Sequence, residues 1–197
     1  MTTDEMLRLR ETHLAPYIQL ATYLIGKARS GGGNMFRHQL DTMAILIDYS
    51  YVDPVLLKAS LVHDILEDLP DFNHNQLLSI DYESHAVYEL VQEVTRKPDE
   101  GKLDFLTRIL QTGSQNAKIL KVADRISNMI SLGFVNDLEF VNRYTNETES
   151  HIYPMAEQVN GYMLMELRYL VESRRRYLEV YSKVRAEQAC TDSTNFL

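Results

Sequence analysis

Six consecutive residues, His63-Asp64-Ile65-Leu66-Glu67-Asp68, bring one imidazole and three carboxylates together. Read as α-helix at about 100° per residue, His63, Asp64, Glu67 and Asp68 share an arc of roughly 140°, so all four can face one pocket. The residues just before them, Pro54, Val55, Leu56, Leu57, Ala59, Leu61 and Val62, are apolar enough for a protein interior. Acids set directly behind such a run carry a desolvation cost, and a metal ion offsets it by turning carboxylate crowding into coordination. Three solvated acids at a polar helix end would suit the same stretch equally, so the choice depends on what the rest of the chain supplies.

One helix face cannot surround an ion, and ligands must converge from separate elements. Two candidates stand at suitable places: His38, ahead of the acidic stretch, and Asp124, set in the apolar stripe of Ile119, Leu120, Val122, Ala123, Ile126, Met129 and Ile130. With His63 and Asp64 they give two imidazoles and two carboxylates, a thiolate-free set that suits Mn²⁺, Fe²⁺, Co²⁺ or Zn²⁺ better than Mg²⁺ or Ca²⁺. The structural alternative for Asp124 is a buried acid paired with Arg125 or Lys121. His13, His74, His85 and His151 have no matching partners and read as surface or partly buried residues.

The elements that must position these residues are all helical. Apolar spacing predicts helices over 5–27, broken near Pro16; over 36–49, with His38 in its first turns; and over 53–68, with Asp53 as N-cap and Pro54 in the first position. Further helices are expected over 75–80, 84–95, 103–110, 117–132, 137–144 and 148–151. Pro154 opens a long last helix to about residue 185, whose Arg168, Arg174, Arg175 and Arg176 read as solvated surface. Gly31-Gly32-Gly33 is either a loop whose backbone can approach a ligand or a plain turn, and 96–101 is a charged loop. No strand alternation, hairpin signal or repeat is visible, so the chain is all-α, with one domain over 1–189 and a tail over 190–197.

Composition narrows the function. The 197 residues carry a net charge of −8, which lacks the basic footprint of a nucleic-acid binder but leaves room for a small anion in a local pocket of cations. No apolar run approaches the roughly 18 residues of a membrane span, and the N-terminus lacks a signal-peptide pattern. A single cysteine, Cys190, fits a reducing compartment, so a cytoplasmic location is expected. The oligomeric state is left open.

His38, then His63-Asp64, then Asp124 resemble the H…HD…D signature of the HD phosphohydrolase superfamily, an all-α metal-dependent group. Within it, residues 63–68 resemble the HDxxED box of the RelA/SpoT-type alarmone hydrolases. Lys121-Val122-Ala123-Asp124-Arg125-Ile126-Ser127-Asn128-Met129 is similar to their K-[LV]-A-D-R-x-x-N-M segment. Arg29 sits where that family has an Arg in a basic loop, and Glu147-Thr148 with Tyr153-Pro154-Met155-Ala156 resembles a later ET…Y-x-P-x-A stretch more loosely. The likeness runs from about residue 28 to 156, and the length matches a free-standing small alarmone hydrolase of the metazoan SpoT-homologue kind.

The resemblance implies one Mn²⁺ per chain at His38, His63, Asp64 and Asp124, acidifying a water. Glu67 would act as base or water-positioner, and Asp68 would orient it. Attack on the 3′-diphosphate of (p)ppGpp would release pyrophosphate and leave GDP or GTP. It also implies Arg29 at the purine, Asn128 and Ser131 at the nucleoside, and Lys97, Lys102 and Arg125 at phosphate or holding Asp124 and Glu67, with Tyr153 as a further contact. From the residues alone, Lys97 also reads as a solvated loop residue and Arg125 as a structural ion-pair partner. This chain departs from the family at Ser30-Gly31-Gly32-Gly33-Asn34, where the usual Tyr, the Pro after the histidine and the second base are missing. The purine is therefore open between guanine and adenine, and a ppApp-type alarmone, NADPH or a nucleoside monophosphate is the alternative substrate.

Overall fold

Helix α9 (Gln115–Ser131) is the axis of the molecule, with Ala117, Ile119, Leu120, Val122, Ala123, Ile126 and Met129 all buried. Its Ser114 N-cap accepts from Ala117 N at 3.1 Å. A computed structural model describes residues 1–194, with side-chain surroundings through residue 183.

The chain opens with α1 (Thr3–Glu11), α2 (Ala15–Ala21) and a 3₁₀ turn (Thr22–Leu24), where one helix broken near Pro16 was expected. α3 (Met35–Asp48) follows, capped by Asn34, whose side chain accepts from Arg37 N at 3.0 Å. α4 (Pro54–Val62) starts at the expected Asp53 cap with proline in its first turn. Next come α5 (Ile65–Asp68), α6 (His74–Leu78), α7 (Ser84–Val94), α8 (Lys102–Thr112), α9 and α10 (Leu138–Glu147). α10 runs into one π-helical segment (Thr148–Ile152), followed by α11 (Tyr153–Val159) and α12 (Gly161–Thr194). α9 packs against α3, α7, α11 and α12, while α4 packs between α3 and α7. Among the described residues the only extended pairing is an isolated bridge between Ala28 and Asn34, so the fold is all-α, and no helix is long and apolar enough to cross a membrane.

Three expectations need correction. Residues 53–68 are not one helix: α4 stops at Val62, His63 and Asp64 form a turn, and α5 begins again at Ile65. His63 Nδ1 lies 2.8 Å from the Ser60 carbonyl, the acceptor that a continued helix would offer to the Asp64 N–H, so the imidazole competes with the backbone just where the helix ends. Pro154 opens only α11; Asn160 then breaks the chain, and its Oδ1 caps α12 by accepting from Tyr162 N (2.9 Å) and Met163 N (3.3 Å). α12 continues past residue 185 to Thr194, so the tail over 190–197 begins within it, and 195–197 lie outside the described residues.

The arginines of α12 are also not all solvated. Arg174 donates to the Met129 and Ile130 carbonyls at 3.2 and 3.0 Å, capping the C-terminal end of α9. Arg175 pairs with Glu149 on the π-helical segment, and the Arg176–Glu172 pair is a plain exposed ion pair. The cap on α9 fixes the last turn of the helix that carries Asp124, Asn128 and Ser131.

Candidate metal and nucleotide site

The turn between α4 and α5 is what lets neighbouring side chains aim at one point. His63 Nε2 lies 3.2 Å from Asp64 Oδ2 and 3.8 Å from Asp124 Oδ1. From α3, His38 Nε2 lies 3.0 Å from Asp124 Oδ1 and 3.6 Å from Asp64 Oδ2. One donor atom each from His38, His63 and Asp124 falls within 4.8 Å of the others, and the Asp64 oxygen touches both imidazoles. All four expected ligands thus converge, from three separate helical segments.

Each donor is aimed by a further contact. The far nitrogens of the two rings are engaged, His38 Nδ1 by Ser127 Oγ and His63 Nδ1 by the Ser60 carbonyl, each at 2.8 Å. This leaves both Nε2 atoms directed inward, where a neutral ring protonated at Nδ1 would offer its lone pair to a cation. Gln39 Nε2 donates to Asp64 Oδ2 at 2.8 Å, and Lys121 Nζ to Asp124 Oδ2 at 2.7 Å. His63 Nε2 is buried and has no hydrogen-bond partner. An orphaned ring nitrogen facing two carboxylates is what a divalent cation would satisfy, so the residues present fit a metal. In the metal-free chain burial works against protonating His63, but Asp64 and Asp124 outweigh it and raise its pKa. Burial likewise works against ionising Asp124, yet Lys121 and the imidazoles hold its carboxyl well below the usual range.

Three members of the cluster, His38, Asp64 and Asp124, line a cleft of about 390 Å³. Its lining also includes the acids Glu67 and Asp68 and the cations Arg96, Lys102, Lys121 and Arg125. The Glu67 side chain is 44% exposed, with Arg96 Nη2 at 3.7 Å. Asp68 does not reach Glu67 in the contacts seen; its carboxylate and carbonyl are held by Lys27 at 2.9 and 2.6 Å. Arg125 is 2% exposed and structurally committed, donating to Glu147 Oε1 at 2.5 Å and Thr148 Oγ1 at 3.1 Å, with its guanidinium 4.0 Å from the Tyr144 ring centroid. Lys102 reaches the other Glu147 oxygen at 2.9 Å, and burial lowers its pKa despite that partner.

A second hollow of about 240 Å³ adjoins the cleft, sharing Met35, Asn128 and Tyr144 with it. Arg29 crosses it, donating to Asn128 Oδ1 at 2.8 Å and Ser131 Oγ at 3.1 Å. Leu132, Val135 and the stacked pair Phe140 and Tyr144, ring centroids 5.5 Å apart, give it an apolar and aromatic wall. The glycines of the preceding loop have definite tasks. A Cβ on Gly31 would stand 2.8 Å from the Ser131 carbonyl oxygen, while Gly32 and Gly33 take positive φ values of 87° and 74°. Close approach to α9 and a left-handed turn therefore explain the run.

Two expected contacts are not brought to the site. Tyr153 lines a groove elsewhere with Glu149, Arg168 and Arg175, because the π-helical segment and α11 turn it toward α12, with the Arg168 guanidinium 6.0 Å from its ring. Lys97 is exposed, outside the residues that line either hollow, with its N–H bonded to Glu100. Conversely, Phe140, Tyr144, Arg96, Gln39 and Ser127 were not singled out by residue type. The i, i+4 aromatic spacing of Phe140 and Tyr144 was the one signal available for that pair.

No family model matches the chain. A curated protein of Mycoplasma genitalium named probable guanosine-3′,5′-bis(diphosphate) 3′-pyrophosphohydrolase is 26% identical over 191 aligned residues, which take in 87% of this chain and 26% of that protein. The chain thus spans about a quarter of the length of that curated relative. A solved structure reported as a metazoan orthologue of SpoT that hydrolyses ppGpp and plays a role in starvation responses matches with a TM-score of 0.67 at 21% identity, covering 81% of this chain and 96% of that one. The two chains share the all-α fold.

Proposed function

We propose that this chain is a cytoplasmic, divalent-metal-dependent 3′-pyrophosphohydrolase of (p)ppGpp-type alarmones, with Mn²⁺ as the resident ion. The observation that carries the reading is the continuity of the two hollows through Met35, Asn128 and Tyr144. A metal cluster with a cationic wall suits a polyphosphate, and the aromatic hollow beside it suits a purine nucleoside. The names of the relatives point the same way, and His38, His63, Asp64 and Asp124 would hold the ion.

A bound divalent ion would supply Lewis acidity and a water acidified toward neutrality. The chain's own residues do the rest. Glu67, exposed in the cleft, takes the proton of the attacking water, and Asp68, anchored by Lys27, fixes the turn of α5 that presents it. The water oxygen joins the phosphorus attached to the ribose, the P–O3′ bond breaks, and the ribose oxygen takes up a proton. The products are pyrophosphate and GDP or GTP. Arg96, Lys102 and Lys121 face the phosphates, with the buried Arg125 charge behind them, which matters because phosphoryl transfer depends mainly on positioning and charge neutralisation. Arg29, Asn128 and Ser131 contact the nucleoside.

The Arg29 guanidinium is engaged by Asn128 and Ser131, leaving aromatic and aliphatic surface as the main wall against the base. That favours one second reading, an HD-type phosphatase acting on a ppApp-type alarmone, NADPH or a nucleoside monophosphate. The test is product analysis on ppGpp, pppGpp, ppApp and NADPH, with Mn²⁺ and with chelator. Metal-dependent release of pyrophosphate from ppGpp is expected. Orthophosphate as the product, or turnover of ppApp with none of ppGpp, would replace the first reading with the second, and turnover that survives the chelator would refute both.

A further inference from the structure

Two of the cations facing the cleft, Arg96 and Lys102, flank a loop instead of standing within the bundle. Arg96 follows Thr95, the C-cap of α7, and Lys102 is the first residue of α8. The segment between them, 97–101, contributes no residue to the cleft lining. Arg108, one turn and a half into α8 and itself outside that lining, gathers the segment together. Its Nε donates to Glu100 Oε1 at 2.7 Å and its Nη2 to Glu100 Oε2 at 3.0 Å, a two-pronged pairing. The same guanidinium donates to the Glu93 carbonyl at 2.9 Å and the Thr95 carbonyl at 3.1 Å, capping the end of α7. Glu100 Oε2 also accepts from Lys97 N at 3.1 Å, closing the turn from the other side.

The clamp spans both cations. Thr95, the residue before Arg96, is held by its carbonyl, and Glu100, two residues before Lys102, is held by its side chain. The guanidinium further lies 5.3 Å from the ring centroid of Phe105, whose ring also stands 5.1 Å from Lys121 Nζ and lines the cleft. Arg108 bonding holds the Glu100 carboxyl down at about 2, so the pair is ionised at neutral pH. Solvated loop residues would need none of this, and a purely local cap on α7 would not recruit Glu100.

We propose that Arg108, acting with Glu100, is a positioning residue for substrate binding: it sets where Arg96 and Lys102 stand and thereby tunes affinity for the polyanionic part of the ligand. The proposal rests on the reading of the cleft as a phosphate site, and it names residues that touch neither substrate nor metal. A loop displaced by about 1 Å can cost on the order of a hundredfold. Arg108→Ala is therefore expected to lower kcat/KM by about ten- to a hundredfold, mostly through KM, with metal affinity unchanged. Arg108→Lys keeps the charge but not the fork, and recovers part of the loss at most. Glu100→Gln, which preserves shape and leaves the α7 cap in place, shifts KM in the same direction by less.

The deciding measurement is calorimetric titration of inorganic pyrophosphate onto the full chain at fixed free Mn²⁺, for the wild type, Arg108→Ala, Arg108→Lys and Glu100→Gln. It needs no turnover, so it remains decisive if ppGpp proves not to be hydrolysed. Weaker pyrophosphate binding in the order Arg108→Ala, then Arg108→Lys and Glu100→Gln, then wild type supports the clamp. Unchanged pyrophosphate affinity in folded Arg108→Ala would overturn it. If that variant does not fold, unchanged affinity in Glu100→Gln overturns it equally.

Discussion

Arg125 separates two ways of reading a charged residue inside the central helix of the candidate site, as a substrate contact or as a strut. It is 2% exposed and bonded to Glu147, Thr148 and the face of Tyr144, so removing it should act first on stability. Truncating one partner of a buried ion pair costs about 3–5 kcal/mol when the other charge is stranded. Here Glu147 keeps Lys102 at 2.9 Å, which places Arg125→Met at the lower end, about 3 kcal/mol. Glu147→Gln should cost about 2 kcal/mol, and the double variant should recover a coupling of about 1.5–2 kcal/mol. Urea denaturation of the four proteins measures all three quantities. The pH dependence gives an independent check. Burial opposes ionising Glu147, but Arg125 outweighs it and lowers the carboxyl pKa. A lowered folded pKa contributes stability that is present above the unfolded value and lost as pH falls through the folded one. The coupling should therefore be full near neutrality and shrink as Glu147 protonates. A coupling below about 0.5 kcal/mol, or one that does not change with acid, would refute the strut and return Arg125 to the list of substrate contacts.

Three further outcomes are expected. Glu67→Gln should leave stability within about 0.5 kcal/mol, since the side chain is 44% exposed, while turnover falls by about 10²–10⁴; near-normal turnover would remove Glu67 from the chemistry. Chelation should lower the melting temperature reversibly: metal at a hundred times its Kd contributes about 2.7 kcal/mol, and His63→Ala, which deletes the orphaned Nε2, should abolish the metal-induced shift measured by calorimetry. Gly31→Ala sets a Cβ 2.8 Å from the Ser131 carbonyl oxygen and should cost about 1–3 kcal/mol while raising nucleotide KM through Arg29. Gly26→Ala, where nothing lies within 4 Å, is the control and should be near neutral in both assays.

The convergence of the candidate ligands was legible in the residues because a metal site would restrict chemical type and spacing together. His38, His63, Asp64 and Asp124 could be picked out without coordinates, and the apolar stripe around Asp124 gave the central helix. The break at residues 63–64 was not legible. Ile65, Leu66 and Glu67 continue a helical pattern, and the stop coincides with an imidazole bonded to the Ser60 carbonyl, a contact that depends on where the ring must point. Asn160-Gly161 carries a turn signal in the sequence, and the last helix begins there and not at Pro154. Tyr153 rested on a loose likeness, and the intervening π-helical segment changes the face on which it emerges. Phe140 and Tyr144 belong to no motif, so their role in the wall of the second hollow needed the packing of α10 against α12 and the π-helical segment.

The break between α4 and α5 also explains why the acidic stretch behaves as two units. Had residues 53–68 formed one helix, His63, Asp64, Glu67 and Asp68 would share one arc and one environment, and burying His63 would tend to bury Glu67 with it. With the turn at 63–64, His63 is 4% exposed while Glu67, on the far side of the break, is 44% exposed. A metal ligand benefits from burial because fixed geometry and exclusion of competing water favour binding. A residue that must take a proton from water and release it again has to remain within reach of solvent and free to move. On the roles proposed for His63 and Glu67, the turn meets both requirements within six residues. It follows that changes at His63 should register in stability and metal affinity together, whereas changes at Glu67 should register in rate alone.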